Sequence, residues 1–443
     1  MQINVICVSL RTLLIILRQC KCLKYKSSVE TRSEFIHLWP VLSIQNRKFE
    51  LQYHLVIKPT RFIMATARLR IGVACENLSS KSGPFCTLMA KSNSQWKEVG
   101  RTEVIRNSSS PAWATKLELN YNFERREKVK FVVQDQDMQL LGTLSVTLGT
   151  LVAAPGQVYR SIIKEGSGKR GCFIITTENI TPAAKKESIE NKFTSFIRNG
   201  TALNFAVAID FTASNGEHLE PESLHYRSKP NGKNSYTEAV RALGQILEDY
   251  DADNLIPAFG FGAVVPPSQE VSHNFFLNQH PTNPECLGVE GIIAAYTETL
   301  AKVELFGPTF FAPIIKYMAE IAKNNQDGRK YYVLLIITDG VIQDFKQTKS
   351  AIVDASHLPL SIIIVGVGEA DFTEMEALDS DERLLQSNGR TASRDIVQFT
   401  ELSRHAKKDG TWKKAALAMD VLSEVPTQLV EWMENNGKKP FYS

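Results

Sequence analysis

The sequence predicts a multidomain protein in which an antiparallel β-sandwich precedes an α/β domain with a doubly wound parallel sheet. Its 443 residues suffice for two or three domains of roughly 100–200 residues each. Between residues 65 and 178, short runs of alternating apolar and polar residues are separated by turn sequences, which is typical of a sandwich. From residue 201 to 440, near-continuous apolar runs alternate with helical patterns, as in a parallel sheet covered on both faces.

The composition is that of an ordinary globular protein, with 43% hydrophobic and 22% charged residues. It excludes collagen-like, wholly disordered and polytopic membrane classes. The formal net charge of +3 gives no case for nucleic-acid binding, and we expect no such partner. The seven cysteines are scattered without a CxxC pair, which argues against a zinc-ribbon framework and favours a reducing compartment.

Residues 1–63 carry the weakest pattern, and we expect a poorly ordered amino-terminal extension there. Its apolar run at 13–17 is far shorter than the roughly 20 residues that span a bilayer. Met64, followed by ATARLRIGV, looks more like a natural start than Met1 does.

Strand-like segments then follow one another through residues 65–178, with turn clusters such as RNSSSPAW between them. They are ARLRIGVAC, FCTLMAKS, KEVGRTEVI, TKLELNYNF, KVKFVVQD, LGTLSVTLG and CFIITTEN. Near their middle, Asp135 and Asp137 form a D-x-D pair in a turn after an apolar strand. Basic residues exceed acidic ones over residues 66–178, with 16 Lys and Arg against 10 Asp and Glu, and several cluster at 125–130.

The segments at 96–113, 131–137 and 141–152 resemble a C2 domain of the copine type. The resemblance implies Ca²⁺ held between loops, with Asp135 and Asp137 among its ligands, and contact with an anionic phospholipid surface. Because Ca²⁺ takes about 6–8 oxygen ligands, two carboxylates alone are too few for a competent site. A scaffold role and Ca²⁺-independent contact with lipid or protein remain open alternatives.

Residues 179–200 are polar and charged, and they contain an amphipathic pattern around 189–197 that ends at Asn199-Gly200. We interpret this segment as a linker with a short helix.

Two apolar runs of the α/β region end in aspartate, at Asp210 and Asp339. Ligands of such sheets bind outside the carboxyl ends of the strands. The first run continues as Asp210-Phe211-Thr212-Ala213-Ser214, so a carboxylate and two hydroxyls alternate along one loop. Oxygen donors of this kind suit Mg²⁺ or Mn²⁺.

The segments DFTASNG, EDYDADNLIPAFGFGA, VSHNFFLN, GPTFFAPII, LLIITDGVI and LPLSIIIVGVG closely resemble the copines, which carry a von Willebrand factor A-type domain. The resemblance implies a metal-ion-dependent adhesion site for Mg²⁺ or Mn²⁺. Its ligands would be Asp210, Thr212, Ser214, Thr309 and Asp339, with one coordination position open for an acidic residue of a protein ligand. One C2 domain fits the sequence where copines typically carry two.

We therefore expect a non-enzymatic adaptor that is cytoplasmic and peripheral at the plasma membrane. The alternative is a metal-dependent phosphotransferase or hydrolase that uses Asp210 as nucleophile. Such enzymes of the haloacid-dehalogenase type have a second Asp two residues later, where this chain has Thr212. Neither a GxSxG nor an HExxH motif occurs.

Overall fold

The computed structural model describes residues 37–45, 48–56, 66–79, 82–92, 95–165, 168–180, 188–227, 234–250, 253–379, 383–406 and 413–441. The chain divides into one unit of residues 1–63 and a second of residues 64–443. Strands β1 (His37–Gln45) and β2 (Lys48–Val56) of the first unit form an antiparallel hairpin. The hairpin is the described part of the extension that we expected to be poorly ordered. The rest of that prediction lies outside the described residues.

The predicted sandwich consists of antiparallel strands only. They are β3 (Thr66–Glu76), β4 (Phe85–Ser92), β5 (Gln95–Arg101), β6 (Leu117–Asn122), β7 (Lys128–Gln134), β8 (Leu140–Thr147), β9 (Val158–Glu165) and β10 (Gly168–Asn179). One sheet has the order β6-β3-β10-β9 and the facing sheet the order β5-β4-β7-β8. Alternate residues of β7, Val129, Phe131 and Val133, are buried between the sheets. Sequence analysis missed β9 and the short helix α1 (Leu148–Val152).

Helix α2 (Ile189–Arg198) forms where the linker pattern predicted it. Ser188 caps its amino terminus by accepting a hydrogen bond from the Asn191 N–H. Its apolar face is buried, and the helix contacts the sandwich on one side and the last helix of the chain on the other. The linker is therefore a packed part of the protein and not a free spacer.

The α/β domain is built on one mostly parallel sheet. Its strands are β11 (Ala202–Asp210), β12 (Leu255–Phe261), β15 (Phe275–Phe276), β16 (Glu285–Leu287), β18 (Lys330–Thr338), β19 (Leu360–Gly366) and β22 (Val397–Glu401). They lie in the order β15-β12-β11-β18-β19-β22, with β16 beside β12. The fold class is confirmed with one correction. Strands β15 and β16 run antiparallel to β12, because the chain returns along that edge in short turns and not through helical crossovers.

Short strands and helices complete this domain. Strands β13 (Ala263–Val264), β14 (Val271–Ser272) and β17 (Glu304–Leu305) form a small sheet, and β20 (Gln386–Ser387) pairs with β21 (Arg390–Thr391). The helices are α3 (Ser235–Leu247), α4 (Gly288–Leu300), α5 (Ala312–Lys323), α6 (Phe345–Ala355), α7 (Thr373–Glu376), α8 (Lys414–Leu422) and α9 (Val425–Asn435). Among the described helices, none is long and apolar enough to cross a membrane.

The central sheet buries both faces, as its apolar strands predict. Phe205 and Val207 of β11 belong to the core beneath α3, α4 and α9, whereas Ala206 and Ala208 belong to the core beneath α5 and α6. The first of these cores continues through α2 into the interior of the sandwich. The sandwich and the α/β domain therefore share one apolar core.

Aromatic residues and an ion pair join the two domains at a contact that we call the seam. The Phe123 ring lies 4.8 Å from the Phe193 ring and 4.9 Å from the Tyr250 ring, measured between centroids. The Tyr121 and Tyr250 hydroxyls are hydrogen-bonded to each other. Arg126, one of the basic residues at 125–130, pairs with Asp249 at 3.2 Å, and the Asp249 side chain is almost completely buried there.

Candidate metal centre

Three loops at the carboxyl ends of the strands form a surface that we call the crest. The first loop (210–215) follows β11, the second (306–309) follows β17, and the third (339–343) follows β18. The structure brings all five predicted donors together there. This convergence follows from the topology, because β11 and β18 are parallel neighbours and end at the same edge of the sheet.

The donor atoms form a connected chain of hydrogen bonds, from which Thr309 branches at Thr212. The Thr212 hydroxyl donates to Asp210 Oδ1 at 2.6 Å and lies 2.9 Å from the Ser214 hydroxyl. Ser214 Oγ donates to Asp339 Oδ1 at 3.1 Å, and Thr309 Oγ1 lies 3.5 Å from Thr212 Oγ1. In an octahedral shell with metal–oxygen distances of about 2.1 Å, adjacent ligands lie roughly 3.0 Å apart. The spacing of these oxygens fits a small divalent cation.

The two carboxylates have different surroundings. Asp210 is fully buried, and its second oxygen accepts a hydrogen bond from the Thr338 hydroxyl. Burial raises its pKa, against the hydrogen bonds from Thr212 and Thr338. Burial and the charge of Asp210 raise the pKa of Asp339 to about 7. Two close carboxylates in a poorly solvated place repel each other, and a divalent cation between them would relieve that repulsion.

Sequence reasoning missed a second layer of side chains that positions Asp339. Asn215 donates one amide hydrogen bond to Asp339 Oδ1 at 2.9 Å and another to the Thr212 carbonyl at 3.1 Å. The buried Tyr236 hydroxyl at the start of α3 donates to Asn215 Oδ1 at 2.6 Å. Residues that orient ligands in this way commonly tune metal affinity. The sequence signal was only the Asn that follows the D-x-T-x-S string.

Gln343 and Asp344, which were also missed, hold the second loop against the third. Gln343 Oε1 accepts the Thr309 N–H at 2.8 Å, and the Thr309 carbonyl accepts the Gln343 N–H at 3.0 Å. Asp344 accepts the N–H groups of Phe311 and Ala312 at the start of α5. At Gly340 an added β-carbon would lie 2.9 Å from Thr309 Oγ1, so the loops approach closely only because glycine is there.

The predicted calcium ligands of the sandwich have a different arrangement. Asp135 is buried, and its Oδ1 accepts the N–H groups of Asp137 at 3.0 Å and Gln139 at 2.9 Å. This is the geometry of a side chain that stabilises its own turn. Asp137 is exposed. Residues 80–81 of the neighbouring loop lie outside the described residues.

The fold and this site define a two-domain protein in which a C2-like sandwich is joined to an α/β domain with a cluster of oxygen donors at its crest. The copine family model matches residues 223–441, and the C2 domain model matches residues 68–163. Residues 223–441 therefore form a copine domain and residues 68–163 a C2 domain, as in a copine with one C2 domain. The copine match begins after the first crest loop, so that loop is assigned from its geometry.

Solved structures that contain C2 domains are similar to part of the chain. The first C2 domain of plant Extended Synaptotagmin 1 is 14% identical, with a TM-score of 0.21, over 26% of this chain and 97% of that chain. The paired C2 domains of Extended-Synaptotagmin 2 are 19% identical, with a TM-score of 0.23, over 30% of this chain and 47% of that chain. Human GIVD cytosolic phospholipase A2 is 12% identical, with a TM-score of 0.23, over 27% of this chain and 16% of that chain. Similarity this low says nothing about function.

Proposed function

We propose that the protein is a non-enzymatic adaptor whose α/β domain binds a protein ligand through a divalent cation. The observation that carries the proposal is the convergence of the oxygens of Thr212, Ser214, Thr309 and Asp339, whose neighbouring members lie 2.9 to 3.5 Å apart. Mg²⁺ or Mn²⁺ would be held by these residues, with Asp210 supporting them from beneath. Neutral hydroxyls leave the cation electrophilic, so an Asp or Glu of the partner would complete its coordination shell.

The crest offers access for such a ligand. A cavity of about 720 Å³ opens beside Thr212, Ser214 and Thr309. A second cavity of about 620 Å³ lies beside Ser214 and Asp339. Both Ser214 and the third-loop carboxylate are thus reachable from outside, as binding of an external carboxylate requires.

We further propose that the sandwich supplies weak, Ca²⁺-independent contact with an anionic phospholipid surface. The loop end of the sandwich comprises residues 82–84, 103–105 and 135–140. The exposed fractions of Val104, Met138 and Leu140 there are 48%, 60% and 58%. The surplus of basic residues over 66–178 would add attraction of roughly 1 kcal/mol for each residue close to the surface. This contact would place the protein in the cytoplasm and, peripherally, at the plasma membrane.

The enzymatic alternative uses Asp210 as a nucleophile and is less well supported. The Asp210 side chain is fully buried, and both of its oxygens accept hydrogen bonds from Thr212 and Thr338. A nucleophile must reach its substrate, whereas this carboxylate lies behind the hydroxyls that line the cavity.

Manganese binding and turnover, measured on the full chain, separate the two proposals. We expect electron paramagnetic resonance to detect bound Mn²⁺ and Ser214→Ala to weaken this binding about tenfold or more, with Ser403→Ala as control. We expect no hydrolysis of p-nitrophenyl phosphate in the presence of Mn²⁺. Hydrolysis that disappears in Asp210→Asn would support the enzyme, and absence of bound Mn²⁺ would refute the metal-dependent adaptor.

A further inference from the structure

An apolar surface borders the proposed metal ligands on two sides. The cavity of about 720 Å³ beside the donors is also lined by Phe306, Pro308 and Val341. Phe306 is 54% exposed and Val341 is 49% exposed. Because these apolar side chains line one cavity together with the proposed donors, they form a joint surface and are not scattered single residues.

The backbone of the crest holds both side chains in place. The Phe306 carbonyl accepts the Ala213 N–H at 2.6 Å, and Phe306 forms a bridge with Thr212. Val341 follows Asp339 by two residues, and the intervening Gly340 packs against Thr309. The two apolar side chains therefore keep a constant position relative to the donor oxygens, one on the second loop and one on the third.

The charges around the donors indicate the direction from which a ligand approaches. Of the described residues that line the Phe306 cavity, none is charged. The cavity on the other side of Ser214 is lined by Glu369 as well as Asp339. A carboxylate would be repelled on the Glu369 side, whereas on the Phe306 side only the cation would act on it. A polyanion, which needs several basic contacts, does not suit this neutral cavity.

We propose that Phe306 and Val341 select protein partners in which the metal-binding Asp or Glu is flanked by a large apolar residue. The inference rests on the proposed function and names the ligand class for the same site. The cation supplies the attraction for the carboxylate, and burial of the neighbouring apolar side chain supplies the discrimination.

Labelled peptides with a single central Asp provide the test, measured by fluorescence polarisation with the full chain in Mn²⁺. One peptide has Leu on both sides of the Asp, a second has Gly, and a third has Leu around Asn. We expect the Leu-flanked Asp peptide to bind about tenfold more tightly than the Gly-flanked one, since it buries a large side chain. The Asn peptide should not bind, and EDTA should release the Asp peptides.

In the double variant Phe306→Ser/Val341→Ser, the Leu-flanked and Gly-flanked Asp peptides should bind with about equal affinity. Its Mn²⁺ binding, measured by electron paramagnetic resonance, should be unchanged. Leu287→Ser is the matched control, because Leu287 is 69% exposed and pairs with the opposite end of β12. The inference is overturned if the wild type binds Mn²⁺ but binds neither Asp peptide, or binds both with equal affinity. It is also overturned if the double variant still prefers the Leu-flanked peptide. Absence of Mn²⁺ binding would instead overturn the proposed function itself. Mn²⁺-dependent self-association that the double variant abolishes, seen by sedimentation, would assign the surface to a second copy and refute this inference.

Discussion

The crest of the α/β domain and the loop end of the sandwich both present aspartates in turns after a buried strand, yet they use them differently. At the crest, Asp210 and Asp339 come from segments far apart in sequence and are joined by a chain of hydrogen bonds with three hydroxyls. At the loop end, Asp135 accepts the backbone N–H groups of its own turn, and Asp137 is exposed. Oxygens from separate loops therefore converge at the crest, whereas at the loop end one carboxylate stabilises a single turn.

One regular element leads from the seam to each of the two regions. Helix α3 begins at the crest, where Tyr236 contacts Asn215, and ends near Asp249 at the seam, a length of roughly 20 Å. Strand β7 begins just after Arg126 and ends immediately before Asp135, again a length of roughly 20 Å.

The largest expected difference concerns metal affinity. Asp339→Asn should weaken Mn²⁺ binding about 100-fold, because it removes a charged ligand of the crest. The matched change at the loop end, Asp137→Asn, should leave the affinity unchanged. Isothermal titration calorimetry measures both. Equal effects of the two variants would show that the regions do not differ as described.

The next-largest effect is expected at the seam, where the two domains are joined, and it concerns the free energy of unfolding. Arg126→Ala removes the ion-pair partner of the Asp249 carboxylate, whose side chain is 5% exposed, and leaves it a hydrogen bond with Thr147. We expect the free energy of unfolding in urea to fall by about 2 kcal/mol. Arg101→Ala, which removes an exposed pair with Glu98, is the control and should cost less than about 1 kcal/mol. Similar costs for the two variants would mean that the domains are only loosely joined.

A smaller effect is expected from the residues that position the crest carboxylate. Tyr236→Phe removes the hydroxyl that donates to Asn215 and should weaken Mn²⁺ binding about tenfold. Tyr331→Phe, which removes the buried hydroxyl bonded to Ser361 elsewhere in the sheet, is the control. If both variants retain wild-type Mn²⁺ affinity, Asn215 does not depend on Tyr236 for its orientation.

The smallest response is predicted at the loop end. Binding to phosphatidylserine vesicles should change less than about twofold between Ca²⁺ and EGTA, because Asp135 Oδ1 already accepts hydrogen bonds from the backbone of its own turn. The binding should weaken with salt, as expected for attraction between basic residues and an anionic surface. Co-sedimentation measures both, and strong Ca²⁺-dependent pelleting would remove the contrast with the crest.

The fold could be predicted from sequence where the pattern is local. The runs that form β11, β18 and β19 are apolar throughout and end at the observed residues to within one position. Strand β9 was missed because Arg160 and the residues around it interrupt the apolar alternation. The antiparallel β15 and β16 were also missed, because strands of two or three residues have no recognisable period.

The candidate site was predictable to the extent that its residues occur in strings at strand ends. Asp210, Thr212, Ser214 and Asp339 were selected in this way, whereas Thr309 was selected from the family resemblance. The structure places all five close together, and their role as metal ligands stays a prediction. Tyr236, Gln343 and Asp344 could not be found, since their roles depend on contacts between separate loops. The burial of Asp249 at the seam could not be predicted either, because docking of a second domain leaves no local signal.

Anomalous diffraction from crystals grown with Mn²⁺ tests the metal centre most directly. We predict one strong Mn²⁺ peak at the crest, about 2.1 Å from the hydroxyl oxygens of Thr212, Ser214 and Thr309, with a water or a carboxylate in the remaining coordination position. A crest without a peak, or a peak only between Asp135 and Asp137, would contradict it.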